Sequence, residues 1–136
     1  MKKLLLVSIV GLFSTSVLIA QKDYKVVFDL TSKDTLDQRS LLRWVSEIYN
    51  APDAQIEVVM YGQGVHLMSA AESKYQSTIA SMIAHKNVAF KVCAIAVKAQ
   101  GIDESQLIPG VQVVPDGIYE IIQKQHEGWG YIKAVH

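Results

Sequence analysis

The sequence VAFKVC at residues 88–93, followed directly by AIAVKAQ and Gly101, decides the fold class. A continuous run of apolar, mostly β-branched or aromatic residues is typical of a buried strand. The alanine-rich segment after it favours a helix, and Gly101 is a typical residue just beyond a helix end. A strand that passes straight into a helix is half of a β–α–β unit, so this stretch predicts a parallel sheet.

The same alternation extends through the rest of the chain. Pro115-Asp116-Gly117 is typical of a helix start, Asp34 or Thr35 can cap another helix, and Gly128 suits a helix end. The patterns predict strands over 25–30, 56–61, 88–93, 111–114 and 129–133. They predict helices over 35–50, 65–87, 94–100 and 117–127, with a helical turn over 103–107. We expect an α/β domain with a mainly parallel sheet and helices on both faces.

The chain has 136 residues, of which 50% are hydrophobic and 19% are charged, and this composition predicts one folded domain. A chain this apolar is not disordered, because burial offsets the entropy of ordering. Thirteen basic residues meet thirteen acidic ones, and no basic run exceeds Lys2-Lys3. The sequence therefore excludes nucleic acid as a partner, since phosphate binding needs a clustered positive face.

Residues 1–20 have the pattern of a secretory signal peptide, with Lys2-Lys3, an apolar stretch and Ala20 before a polar segment. Leu18 departs from the pattern, and an uncleaved membrane anchor is the alternative interpretation. Cleavage leaves residues 21–136 as one domain with 11 basic and 13 acidic residues. We expect that domain to be periplasmic or extracellular, without membrane contact once the signal is removed.

Ligands of open parallel sheets gather at the carboxyl ends of the strands. The candidate places are the segment 31–34, the segment Gly62-Gln63-Gly64 and Cys93. A dinucleotide-binding fingerprint would need a third glycine where Leu67 stands, so the two glycines allow a tight turn instead. We expect Gly62, Gln63, Gly64 and His66 to line the same rim as Cys93 and to contact a substrate.

Other kinds of site find little support. The four histidines lie in separate segments without a second cysteine, so no metal site is predicted. The nucleophile elbow Gly-x-Ser-x-Gly is absent from the sequence, which disfavours a hydrolase. We expect no cofactor.

Cys93 is the single cysteine, so no internal disulfide forms. It is buried and inert, paired with another chain, or reactive. A thiol at the start of a helix faces the positive end of the dipole, and Lys91 or Lys98 could add to the effect. The competing interpretation is a small buried hydrophobic residue, the usual state of a free cysteine.

Five segments, taken as an ordered set, resemble the DsrE/DsrF-like sulfur-relay family and most closely its exported single-domain members. They are VAFKVC at 88–93, VKAQGI at 97–102, LIPGV at 107–111, VVPDGI at 113–118 and QHEGWGYI at 125–132. The resemblance extends over residues 24–133. It implies a three-layer α/β/α domain with a five-stranded, mainly parallel sheet, trimeric or hexameric assembly, and a persulfide-carrying role for Cys93.

The chain departs from the family pattern at three positions. Ile95 and Ala96 stand where family members often have a polar pair, and Asp116 replaces a serine. The leading hypothesis is an exported sulfur carrier, rather than a turnover enzyme, that exchanges sulfur with a sulfane-sulfur donor or a thiol-bearing protein. The alternative is a non-catalytic oligomeric module that binds a ligand or partner and has a structural cysteine. Residues 62–68 and 94–108 are the expected contact regions of a trimer or hexamer without disulfides.

Overall fold

The computed structural model describes residues 24–136, so the predicted signal peptide lies outside the described residues. The strands are β1 (Lys25–Leu30), β2 (Gln55–Met60), β3 (Val88–Cys93), β4 (Gln112–Val114) and β5 (Gly130–Lys133). The α-helices are α1 (Thr35–Ile48), α2 (Gln76–Ile83), α3 (Ala94–Ala99) and α4 (Gly117–His126). Two 3₁₀ segments, Gly62–Met68 and Glu104–Gln106, complete the regular structure.

The five strands form one sheet in the order β4-β3-β2-β1-β5. Every neighbouring pair is parallel. The register places Asp29 beside Val59 and Lys133, and Cys93 beside Val114. The predicted α/β fold with a five-stranded sheet is therefore confirmed.

The strand order also explains where the helices lie. From β1 to β4 the chain moves one strand at a time in a single direction, and the right-handed crossover rule places these connections on one face. The step from β4 to β5 returns across the sheet in the opposite direction, so α4 covers the other face. The result is the predicted three-layer α/β/α arrangement. One outer layer contains α1, α2 and α3, and the other contains α4 alone.

The main core lies on the face that α1, α2 and α3 share. Alternate residues of β1, β2 and β3 point into it, as the two-residue period of a strand requires. Fully buried members include Phe28, Leu30, Leu41, Val58, Met60, Leu67, Met68, Ile79 and Phe90.

The face under α4 is smaller and more polar. Its apolar centre consists of Val27, Val59 and Ile121, with Tyr61 and Trp129 packed against it. Buried carboxylates on β1 and β2 occupy the rest of this face, and they are described with the site. One side of the sheet therefore provides most of the apolar burial, while the other brings charged groups together.

The helix ends follow the sequence signals. Asp34 accepts a hydrogen bond from the backbone N–H of Leu36, which makes it the N-cap of α1. Gly101 and Gly128 follow α3 and α4 with φ angles of +68° and +84°. These left-handed conformations favour glycine and end both helices where the sequence predicted.

The predicted helix over 65–87 is wrong. The segment is instead the 3₁₀ stretch Gly62–Met68, a series of turns, and α2. The backbone at Met68 and Ala70 pairs with a distant loop: Ile108 N donates to Met68 O at 2.9 Å, and Ala70 N donates to Gln106 O at 2.8 Å. This pairing uses groups that a continuous helix would need, so tertiary contacts override the helical periodicity.

Within residues 24–136, no helix has the length and apolar character needed to cross a membrane.

Candidate functional site

The carboxyl ends of β3 and β4 form the switch point of the sheet. These strands are paired neighbours, yet β3 continues into α3 on one face and β4 into α4 on the other. Where two such connections diverge, a crevice opens that open α/β folds use for ligands. Cys93 is the last residue of β3 and lies at this place.

Cys93 is held between two helix starts. It is the N-cap of α3 in an extended conformation, with φ −72° and ψ 121°. Gly117, the first residue of α4, is so close that a Cβ there would lie 3.1 Å from Cys93 Cβ and 3.2 Å from Val59 Cγ1. The missing side chain at Gly117 lets α4 begin directly against the cysteine. The residue remains a free cysteine and is 5% exposed.

Asp116 determines how α4 begins. Its Oδ1 accepts hydrogen bonds from the backbone N–H groups of Ile118 at 2.9 Å and Tyr119 at 3.3 Å. The serine-to-aspartate departure in the sequence therefore preserves a functional N-cap. α3 begins immediately after Cys93 and α4 begins at Gly117 beside it, so the N-termini of two helices lie next to the thiol.

Lys91 does not support the thiol as the sequence suggested. Its Nζ binds Glu57 Oε2 at 2.8 Å and Glu120 Oε1 at 2.6 Å. Burial alone would lower the pKa of Lys91, but the hydrogen bonds to these two carboxylates outweigh it and raise the pKa. Lys91 is therefore the cation of a buried ion-pair network, while Lys98 is exposed on α3.

The glycine segment after β2 has mainly a backbone role. Gly62 has a φ of +54°, and Gly64 N donates to Thr31 O at 3.0 Å. A Cβ on Gly64 would clash with Leu30 O, so the segment packs tightly on the end of β1. Gln63 is exposed at the same edge of the sheet.

His66 is directed to the other end of α3. Its Nε2 lies 3.0 Å from Gln100 Oε1, and its Nδ1 lies 2.8 Å from Glu72 Oε2. Gln100 is the C-cap of α3, whereas Cys93 is the N-cap. The structure therefore does not bring the His66 side chain into contact with the thiol.

A buried carboxylate cluster under α4 was missed by the sequence reasoning. Asp29 is 1% exposed, and its Oδ2 accepts hydrogen bonds from Tyr131 Oη at 2.7 Å and Tyr61 Oη at 3.2 Å, with Lys133 Nζ at 3.5 Å. Burial, with Asp29 adding to it, raises the pKa of both tyrosines. The one signal in the sequence is a charged residue inside the apolar strand KVVFDL.

Tyr61 connects this cluster to the cysteine. Its Cβ would lie 3.6 Å from a Cβ on Gly117, the residue that also contacts Cys93. The Asp29 cluster and Cys93 therefore share the first turn of α4 as a common neighbour.

One group of possible metal ligands exists within the described chain. Asp34, Asp37 and His136 place a ligand atom each within 4.8 Å of one another. Asp37 Oδ1 accepts hydrogen bonds from the backbone N–H of His136 and pairs with its Nδ1, each at 2.8 Å. Asp34 is already used as the cap of α1. These contacts explain why the three residues lie together, because they attach the C-terminal segment to α1.

An all-parallel α/β domain with a single cysteine at its switch point is the class of protein that the fold and the site define. The family model of the DsrE/DsrF-like family matches residues 25–134. The chain belongs to that family. The match ends within one residue of the boundary that the sequence motifs indicated, and a search of curated proteins gave no match.

Solved structures agree with this assignment. A protein of unknown function from Methanobacterium thermoautotrophicum is 31% identical, with a TM-score of 0.70 over 82% of this chain and 99% of that chain. The ychN protein from E. coli is 15% identical, with a TM-score of 0.67 over 81% and 98%. A conserved protein of unknown function from Bacteroides thetaiotaomicron is 18% identical, with a TM-score of 0.64 over 80% and 94%. The last two are similar in fold alone.

Proposed function

We propose that this chain is an exported sulfur carrier in which Cys93 holds sulfur as a persulfide. The observation that carries the proposal is the position of Cys93 at the switch point, with Gly117 of α4 against it. Membership of the DsrE/DsrF-like family supports sulfur relay as the general role.

The loading reaction needs only thiol–sulfur exchange. The Cys93 thiolate attacks the outer sulfur of a donor persulfide, R–S–SH, and forms a new S–S bond. The donor's own S–S bond breaks, and its electron pair leaves with the thiolate RS⁻. The proton remains on the transferred sulfur, so Cys93 becomes Cys–S–SH without an oxidant, a metal or an organic cofactor.

Unloading is the same exchange in reverse. An acceptor thiolate attacks the outer sulfur of the Cys93 persulfide, and Cys93 leaves as a thiolate ready for another cycle. Cys93 is the N-cap of α3, so a helix N-terminus lies where the negative charge appears in both directions. The protein then acts as a carrier between a sulfane-sulfur donor and a thiol-bearing acceptor, with Cys93 as the nucleophile.

The burial of Cys93 limits what can reach it. A thiol that is 5% exposed reacts with small donors more readily than with bulky ones. Beside it, Ile95 is 63% exposed and Ile118 is 55% exposed. An approaching acceptor would therefore meet an apolar rim around the sulfur.

A non-catalytic binding module is the second candidate, and one observation favours it. The positions that carry polar residues in many family members are Ile95, which points outward, and Ala96, which is buried. Neither side chain can hydrogen bond to a sulfur anion. In this alternative Cys93 is a packing residue of the core.

Intact-mass measurement after exposure to a small persulfide donor separates the two candidates. The carrier gains one or more sulfur atoms, Cys93→Ser gains none, and reductant reverses the gain. An absence of gain in the folded wild-type protein would overturn the carrier proposal. Iodoacetamide labelling of native and denatured protein is the matched control, because a packing cysteine labels only after denaturation.

Export is tested independently of the chemistry. Cleavage after Ala20 gives a mature protein that begins at Gln21 and is released from the periplasm or the medium. N-terminal sequencing of protein from the producing cell checks this. An intact Met1 in the membrane fraction would show an anchor instead.

A further inference from the structure

A cleft of about 440 Å³ lies at the amino ends of β2 and β3, the edge of the sheet opposite Cys93. It is open on the α4 side of the domain, where Trp129 follows the end of that helix. Its lining includes Asp53, Gln55, Glu57, Ala89 and Trp129. Nothing in the proposed sulfur chemistry uses this cleft.

Glu57 is the unusual residue of the lining. Its side chain is 5% exposed, Lys91 Nζ binds its Oε2 at 2.8 Å, and Lys124 Nζ lies 3.9 Å from the same oxygen. Its other oxygen, Oε1, is buried and has no hydrogen-bond partner among the described residues. A buried carboxylate oxygen without a partner is costly, and a donor from outside the chain would remove that cost.

The charges around Glu57 also leave a place for one cation. Lys91 is shared by Glu57 and Glu120, while Lys124 binds Glu127 at 3.2 Å as well as approaching Glu57. This ion-pair network contains three carboxylates and two ammonium groups. Carboxylates therefore outnumber ammonium groups among these contacts, which favours a cation in the cleft, and at its mouth Asp53 and Lys86 carry opposite charges.

Trp129 provides the remaining wall of the cleft. The Nζ of Lys124 lies 4.9 Å from the centroid of its ring, a cation–π contact that shows the ring already attracting a cation. A planar cation suits such a wall better than a compact one, because it stacks on the ring and directs its N–H groups sideways.

We propose that this cleft binds a small guanidinium compound, with N–H groups donating to Glu57 and the plane of the cation against Trp129. Because Glu57 Oε1 is buried in the free protein, binding must include a rotation of the Glu57 side chain that exposes this oxygen to the cleft. The two-pronged geometry of guanidinium matches a carboxylate better than an ammonium group does.

A proton competes with the cation for the Glu57 carboxylate. Burial raises the pKa of Glu57, with the facing Glu120 adding to it and Lys91 opposing it. Other charged groups near Glu57 are Lys124 on α4 and Lys25 and Asp29 on β1, whereas its partner in register on β1 is the apolar Val27. Guanidinium binds the ionised carboxylate, so affinity should fall as pH falls through the raised pKa of Glu57.

Methylguanidinium and methylurea are the probes that test the site, because they are alike in shape and differ in charge. Titration followed by the indole N–H signal of Trp129 in NMR should show saturable binding of methylguanidinium. Methylurea should bind at least about tenfold more weakly, as expected when a charge-assisted hydrogen bond is lost. Equal binding of the two probes, or no response at Trp129, would overturn the proposal.

Two variants assign the binding to the cleft. Glu57→Gln keeps the size of the side chain and should weaken methylguanidinium binding at least about tenfold. Glu47→Gln removes an exposed carboxylate of α1 that pairs with Arg43 and should leave it unchanged. Trp129→Leu lacks the indole that reports binding, so its titration follows the backbone amide signal of Ala89 in the cleft wall. It should also bind methylguanidinium more weakly, and it tests the site separately if Glu57→Gln fails to fold. Unchanged affinity in folded Glu57→Gln would show that the cation binds elsewhere. None of these outcomes depends on Cys93.

Discussion

The Cβ of Cys93 lies 3.1 Å from the point where a side chain on Gly117 would begin. This distance is shorter than an ordinary van der Waals contact, so the start of α4 tolerates only glycine without movement of the cysteine. The second close atom, Val59 Cγ1 at 3.2 Å, belongs to the buried centre of the sheet. Any adjustment must therefore come from buried atoms.

Gly117→Ala is expected to destabilise the domain by about 1–3 kcal/mol, the usual cost of adding a methyl group to a filled core. It should also change the rate at which Cys93 reacts with iodoacetamide, because the methyl group displaces the thiol from its position. Denaturant unfolding and labelling kinetics measure the two effects.

Gly130→Ala is the matched control for this substitution. A Cβ at Gly130 would lie 3.5 Å from Lys25 O, an ordinary contact, so stability should change by less than about 0.5 kcal/mol. A Gly117→Ala protein as stable and as reactive as Gly130→Ala would show that α4 does not constrain Cys93.

The Asp29 cluster gives a spectroscopic prediction. Tyr61 and Tyr131 have raised pKa values because they are partly buried and donate to one carboxylate. Asp29→Asn removes the negative charge that opposes phenolate formation, so the pKa of both tyrosines should fall toward the ordinary value. Phenolate absorbance during an alkaline titration measures this.

The same substitution is expected to destabilise the protein by about 1–3 kcal/mol, since the tyrosine hydroxyls lose a charged acceptor. Asp53→Asn, at an exposed position, serves as the control for charge removal in general. If Asp29→Asn leaves the tyrosine titration unchanged while Asp53→Asn alters it, the assigned cause of the shift is wrong.

Much of the fold could be predicted because its signals are local. The strand over 88–93 and the caps at Asp34 and Asp116 depend on residues within a few positions of one another. The helix over 65–87 failed because the backbone at Met68 and Ala70 pairs with residues 106–108, which local periodicity cannot reveal. The position of Cys93 at a strand end was likewise a local feature.

The charged groups under α4 could not be predicted in the same way. Asp29 and Tyr131 are 102 positions apart, and Lys91 and Glu120 are 29 apart. Their meeting depends on the return of the chain across the sheet after β4, which places α4 and β5 beside strands formed much earlier. A single polar residue in an apolar strand was the only local sign of each cluster.

The contact between His136 and Asp37 predicts that the attachment of the C-terminal segment to α1 depends on pH. The hydrogen bond to Asp37 raises the pKa of His136 above its ordinary value of 6.5, so the stabilisation is complete below 6.5 and is lost as pH rises through the raised value. The hydrogen bond to His136 lowers the pKa of Asp37 below 3.8, so the contribution of Asp37 is present above 3.8 and is lost in stronger acid.

The His136–Asp37 contact is therefore most stabilising between about pH 4 and pH 6.5. NMR titration of the His136 ring should give a pKa above that of the same ring in Asp37→Asn. Glu47→Gln, which removes an exposed carboxylate at the other end of α1, is the control and should leave the His136 titration as in the unaltered protein. A His136 titration in Asp37→Asn identical to that of the unaltered protein would show that the contact does not persist in solution.

Self-association is the last prediction, and the exposed apolar side chains indicate where it would take place. In the segment 62–68, Val65, Leu67 and Met68 are buried in the core of the monomer, which leaves few apolar groups there for a partner. By contrast, Ile118, Tyr119 and Ile122 are all exposed on the first turns of α4.

Ile95 on α3 is exposed as well and lies two positions after Cys93, so the apolar surface continues to the rim of the cysteine. We expect a trimer or hexamer that buries this surface and does not respond to reductant. Ile118→Asp with Ile122→Asp should shift the assembly toward monomer, because each copy would then desolvate charges at the contact.

Lys74→Asp, an exposed change remote from α4, should leave the mass unchanged. Sedimentation equilibrium measures these masses: a wild-type monomer at micromolar concentration would refute the assembly, and a dimer that reductant separates would mean that Cys93 links two chains.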